Sequence, residues 1–186
     1  MQHLKILSFI FLISSSSAFA QEWGATLGFH QTTADSNDST ATVDGKLNFK
    51  LGALVWFELV EGYKFRSGAI FSQRHIDINK SGYKYEYNFD YFDVPANVQY
   101  NFNEMIGVFG GLTFAINFSD DVDAPSGAPA NTDQDAEKMI PIMNGGVNFL
   151  FNDMIGFDVY YERGMGRFAK NLENHSTFGA NFIYWF

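Results

Sequence analysis

Seven charged side chains sit where ionised groups are costly, inside stretches that otherwise alternate with apolar residues: Lys46, Lys50, Lys64, Arg66, Asp93, Asp158 and Glu162. Cations from one part of the chain and carboxylates from another, all on the polar face of alternating segments, point to an interior ion-pair network. Charges withdrawn from water must pair or hydrogen-bond. Such a network either plugs the interior and holds its register, or lines a narrow path for protons or small ions. Other chemistry is thinly represented. His30, His75 and His175 show no metal spacing and no H-E-x-x-H. His175-Ser176 with nearby Glu173 holds the residue types of a serine hydrolase, although closeness in sequence does not orient an acid on an imidazole. Asp120, Asp121, Asp123, Asp133, Asp135 and Glu137 crowd one segment and offer hard oxygen ligands for Ca²⁺ or for ion bridges to lipopolysaccharide phosphates, without the spacing of an EF-hand. These residues predict no catalytic, cofactor or metal site.

The elements that position these groups follow a period of two. Polar and apolar residues alternate over Trp23–His30, Lys46–Val55, Tyr63–Ser72, Asp93–Phe102, Ile106–Phe118, Met139–Phe151, Ile155–Tyr161 and Phe178–Phe186. That makes eight strands, and helical spacing fits none of them as well. The off-face residues are Gly, Asn, Lys, Arg, Thr and Asp, the mix of a narrow polar lumen. Connections alternate in length, with ten or more residues after strands one, three, five and seven and short turns at Glu58–Glu61, Asn103-Glu104 and Asn152-Asp153. Aromatics gather at strand ends (Trp23, Phe57, Tyr63, Phe102, Phe151, Trp185), where an interfacial girdle belongs. The expected fold is all-β: an eight-stranded antiparallel up-and-down transmembrane barrel over residues 21–186, with both termini periplasmic and four loops outside. A soluble sandwich also alternates, but does not account for the loop asymmetry. Pro95 and Pro141 fall inside strands, which predicts irregular pairing near the outer rim.

Residues 1–20 read as a cleaved signal peptide: Lys5 in the n-region, an apolar core over Ile6–Ile13, and Ala18-Phe19-Ala20 as the cleavage site. The apolar run is too short for a spanning helix. The 186-residue chain has a net charge of −9, 18% aromatic residues and no cysteine. That composition excludes thiolate metal sites, Fe–S clusters and cysteine nucleophiles, and argues against nucleic acid as a partner.

The run Tyr91-Phe92-Asp93-Val94-Pro95-Ala96-Asn97-Val98-Gln99-Tyr100-Asn101-Phe102 resembles the outer-membrane β-barrel domain family of small, mostly eight-stranded bacterial barrels, PorT-like members included. Gly110-Gly111, Gly145–Phe149 and Phe157–Gly164 extend the resemblance along the chain. Where that family carries a basic residue in strand seven, this chain has Asp158 and Glu162. The ending Thr177-x-Gly179-x-x-Phe182-x-Tyr184-x-Phe186 resembles the signal read by the bacterial barrel-assembly machinery, and Phe182, Tyr184 and Phe186 share one strand face. The resemblance implies a monomeric outer-membrane protein in contact with membrane lipid and lipopolysaccharide, and with assembly machinery and periplasmic chaperones during biogenesis. A non-catalytic envelope or surface-interaction role through the loops is the expected function. The alternatives are an outer-leaflet lipid-modifying enzyme and a narrow channel.

Overall fold

The computed structural model describes residues 21–128 and 136–186. The signal-peptide reading therefore lies outside the described residues, as do Asp133 and Asp135. Ten strands run in chain order: β1 (Gln21–Ser36), β2 (Ala41–Val60), β3 (Tyr63–Gln73), β4 (Ile76–Lys80), β5 (Tyr83–Asn101), β6 (Ile106–Asp123), β7 (Met139–Asn152), β8 (Ile155–Gly164), β9 (Arg167–Ala169) and β10 (Leu172–Trp185). All pairings are antiparallel, and β1 pairs with both β2 and β10, so the sheet closes on itself. Eight staves make the ring, β4 continuing β3 as one of them. The short β9 pairs with β10. Closure leaves no open sheet edge where the strands cross lipid, the condition lipid imposes on them.

Alternation sorts two surfaces. On the outer face Leu27, Phe29, Leu51, Phe114 and Phe182 stand free, with Phe29 58% and Leu51 53% exposed. On the inner face of the barrel Asn48, Lys50, Asn97 and Asn148 are buried. An apolar belt that circles the whole barrel is far beyond what a water-soluble monomer exposes, and it has the form of a lipid-facing surface. At the periplasmic end Trp23, Tyr63, Phe102, Phe151 and Phe186 face outward, and the Tyr63 and Tyr100 rings pack 4.6 Å apart. Trp185 corrects the expected girdle. It points inward and packs at a tilt against Trp56, ring centres 5.2 Å apart, because the register that puts Tyr184 and Phe186 on lipid puts their neighbour in the lumen.

The expected long outer loops are mostly strand. β1 extends to Ser36 and β2 starts at Ala41. The segment expected to loop after the third strand is a β4–β5 hairpin closed by Ser81 and Gly82, both at left-handed φ (54° and 80°), the geometry of a two-residue hairpin turn. β5 shows why these strands escape a search for lipid-facing alternation. Odd-numbered residues face inward from Tyr85 to Gln99, but below the rim they are Asp93, Asn97 and Gln99, and above it Tyr85, Tyr87, Phe89 and Tyr91. Outside the membrane the outward face meets water and the interior becomes an ordinary apolar core, so the polarity pattern inverts while the strand continues.

The interior therefore has three layers. The extracellular one is apolar: Ile76, Ile78, Tyr85, Tyr87, Phe89, Tyr91, Ile140, Ile142, Leu172 and Phe168. Phe168 is carried in by β9 and packs edge-on to Phe89 at 5.2 Å. The middle layer is charged. The periplasmic one is Leu54, Trp56, Ile70, Ile183 and Trp185.

Pro95 sits mid-strand facing the middle layer, not near the rim as its place in the sequence suggests. No bulge forms there; the β3–β5 ladder instead skips from Ser67↔Ala96 to Ile70↔Asp93, opposite the residue that has no N–H to give. Pro141 lies one residue past the last β7–β8 pair, Ile142↔Gly164.

Candidate functional site

The middle layer is assembled by alternation and one irregularity. Inward positions of β3 run Arg66, Gly68, Ile70, Ser72, and the same phase reaches Arg74 in the break before β4. Between the pairs Lys50↔Ser72 and Gly45↔Ile76, β2 uses four residues where the opposite stave uses three. This bulge is held by Asn48, whose amide accepts from His75 N–H and donates to the His75 carbonyl, each at 3.0 Å. Arg74 N–H donates to the Phe89 carbonyl at 2.8 Å. Bulges re-aim side chains, and this one drives the Arg74 guanidinium into the lumen, where it is fully buried.

There Arg74 grips Asp93 with both terminal nitrogens, Nη1–Oδ1 at 3.0 Å and Nη2–Oδ2 at 2.9 Å, and reaches Glu162 at 3.4 Å. Lys50 donates to the other Glu162 oxygen at 2.9 Å and lies 4.3 Å from the Tyr160 ring centre. Nearer the periplasm, Arg66 meets Asp158 at 2.6 Å, and Asn148 donates to that carboxylate, also at 2.6 Å. The Arg66 guanidinium lies over Phe109 at 4.5 Å and Trp56 at 5.6 Å. Three cations thus face three carboxylates, and the layer is neutral in sum. Buried pairs of this kind recover their desolvation cost through close geometry and extra hydrogen bonds.

Five of the seven charges read as interior therefore meet in this layer: Lys50, Arg66, Asp93, Asp158 and Glu162. Lys46 and Lys64 do not. Lys64 pairs with Glu22 at the periplasmic mouth at 2.6 Å. Lys46 reaches outward above the bulge to Glu86 at 2.8 Å and Asp77 at 3.2 Å. Both lie near the ends of the lipid-spanning zone, where a long side chain carries its charge to water more cheaply than to the interior. Arg74 escapes the sequence reading because the third strand is read as ending near Ser72. Carrying its alternation one step further reaches it.

The extracellular face of the β2–β4–β5 extension is a solvated ladder. Lys84 bonds Asp77 at 2.9 Å, Asn79 bonds Asp44 at 2.7 Å, and Asn88 bonds Asp123 at 3.1 Å. Partial burial pushes the Asp77 carboxyl up, but hydrogen bonds from Lys84 and Lys46 outweigh it and hold the group below its usual value. The Glu86 carboxyl is held down chiefly by the Lys46 hydrogen bond. Asp38 lies well below the usual range through hydrogen bonds from Lys80 and Thr40.

The remaining candidates separate. Asp120, Asp121 and Asp123 belong to β6, not to a loop, and neighbouring strand positions face opposite ways. Glu137 is 3.6 Å from Arg167. Among the described residues no group of three His, Asp or Glu side chains is placed to hold a metal ion. His175 is fully buried, its ring 4.8 Å from that of Phe168. Ser176 occupies the next position of β10 and so faces the other way, while Glu173 accepts from Asn37 at 2.9 Å. Ser176, His175 and Glu173 therefore do not converge on one another. The His30 Nε2–H donates to the Gln73 carbonyl at 2.6 Å, and His75 contacts Asp90 at 3.1 Å on the rim. On the closing strand, Thr177 bonds Thr32 across the β1 seam at 2.8 Å, and Gly179 makes room for Tyr160 and His30. Phe182, Tyr184 and Phe186 share the lipid face.

Solved structures of similar shape are small outer-membrane proteins. Ail, the attachment invasion locus protein of Yersinia pestis, aligns with a TM-score of 0.55 at 16% identity over 89% of this chain and 98% of its own. Neisserial surface protein A aligns with a TM-score of 0.53 at 11% identity over 90% and 99% of the two chains. No curated protein matches in sequence. The profile of the outer membrane protein β-barrel domain matches residues 19–170. With the closed ring, the lipid-facing belt and the charged lumen already in place, that match means the chain belongs to the outer membrane protein β-barrel domain family and resides in the outer membrane.

Proposed function

We propose that this barrel is non-conducting and non-catalytic, and serves envelope integrity or surface interaction through its extracellular β-extension. One observation carries the reading: the lumen is filled along its length, with Phe168 at the outer end, the Arg74–Asp93–Glu162 and Arg66–Asp158 pairs in the middle and the Trp56–Trp185 pair at the inner end. An eight-stranded barrel is just wide enough for side chains to fill it. What the fold leaves free to meet a partner is the ordered sheet above the membrane, with its charged ladder. Ail, the attachment invasion locus protein, has a similar fold. Export through a cleaved signal peptide over residues 1–20, a monomeric state, contact with lipopolysaccharide, and delivery by periplasmic chaperones to the barrel-assembly machinery complete the proposal, with no cofactor required.

The test has two arms. Purified full chain in planar bilayers is expected to give no conductance steps above the lipid baseline; reproducible steps overturn the closed-lumen reading. Lipid A from cells with and without the protein is expected to have the same mass spectrum. A mass change lost in Ser176→Ala overturns the non-catalytic reading.

A further inference from the structure

Within the charged layer lies a cavity of about 30 Å³, bordered by Arg66, Asn97, Asn144 and Asn181 together with Asp93 and Glu162. Four of these residues present polar atoms that are buried and find no hydrogen-bond partner among the described residues: Arg66 Nε and Nη1, and the Oδ1 atoms of Asn97, Asn144 and Asn181. The Phe109 and Trp56 rings lie 4.5 and 5.6 Å from the Arg66 guanidinium and offer its N–H groups no lone pair in place of a hydrogen-bond acceptor. Orphaned donors and acceptors at this density cost more than a barrel core tolerates without compensation.

We infer that this cavity is a binding site for a pair of internal water molecules, sealed between the apolar layers above and below. The ligand class follows from charge and valence. Lys50, Arg66 and Arg74 balance Asp93, Asp158 and Glu162, so a cation or anion entering the layer brings an uncompensated charge into a low-dielectric interior. The orphan set holds both donors and acceptors, which a neutral molecule with two donors and two acceptors satisfies. The number follows twice. Five orphan atoms, at about three bonds per buried water, call for about two molecules, and 30 Å³ has room for about two. The Phe168 layer and the Trp56–Trp185 pair close the site from outside and inside. The barrel is then wet at its centre and dry at both ends, which deepens the closed-lumen reading and rests on it.

Solid-state NMR of the full chain in lipid bilayers tests this by water-to-protein polarisation transfer. Strong transfer is expected at the Arg66 Nε–H and at the side-chain amides of Asn97, Asn144 and Asn181, with hydrogen exchange at these groups taking hours. Asn144→Leu, of similar volume, is expected to cut the Arg66 transfer several-fold toward the baseline of amides in the apolar layer. Absence of transfer at Arg66 in the unmutated chain overturns the hydration site and leaves closure standing. Strong transfer with exchange in seconds overturns the sealing and the closed-lumen reading together. The unmutated chain decides both points, so the result does not depend on the variant folding.

Discussion

Replacing Arg74 by Met deletes the only cation that contacts Asp93 among the described residues and leaves that carboxylate fully buried. Glu162 keeps Lys50 at 2.9 Å, and Asp158 keeps Arg66 at 2.6 Å, so the loss concentrates on one group. The layer goes from three cations facing three carboxylates to two facing three. Breaking a buried pair by removing one partner costs about 3–5 kcal/mol, whereas replacing both partners with uncharged groups of similar size is often near neutral. Arg74→Met is therefore expected to destabilise the barrel by about 3–5 kcal/mol. Arg74→Met with Asp93→Asn, which restores neutrality, should recover most of that. The assay is reversible urea or guanidinium unfolding in lipid vesicles, followed by tryptophan fluorescence and by the heat-modifiable shift on gels. A single variant within about 1 kcal/mol of the parent, or a double variant less stable than the single, refutes the claim that charge balance rather than packing volume governs this layer.

On the lipid face, Leu51→Arg should destabilise by roughly 2–4 kcal/mol in the same vesicle titration, since Leu51 stands half-exposed in the apolar belt; no loss shows the faces to be reversed. Changing Tyr184 and Phe186 to Ser should lower the folded fraction in the outer membrane while leaving export intact, because both side chains lie on the outer face of the strand that closes against β1; normal levels of heat-modifiable protein refute it. The Asp77 and Glu86 carboxyls lie below their usual values in the folded extension, so their stabilisation is present above the unfolded carboxylate range near pH 4 and is lost as pH falls below it. Exchange protection of residues 41–45 and 83–88, corrected for intrinsic rate, should hold from pH 7 to 5 and drop below about 4. The step should shrink in Asp77→Asn with Glu86→Gln, and an unchanged step assigns the transition to other groups.

What the chain alone determined is everything that a period of two conveys. Leu51 on lipid beside Lys50 in the lumen, the eight-fold count, and the short turns at one end all follow from side chains projecting to alternate faces of an extended strand. Where the environment changes along a strand, the period persists but its meaning does not. Tyr85, Tyr87, Phe89 and Tyr91 keep the phase of Asp93 and Asn97, yet only the closed barrel shows that water has replaced lipid outside them, making the inside the apolar side. Partner choice lay further still from local pattern. Lys46 and Lys50 are four residues apart on one strand, but one reaches Glu86 on the surface and the other Glu162 inside the lumen, because a bulge of one residue separates them. The same bulge brings Arg74 onto Asp93 and Glu162, a meeting across staves from distant parts of the chain. Spacing along a strand carries the face on which a side chain falls; the depth it reaches and the charge it meets depend on the register between strands, which exists only once the ring has closed.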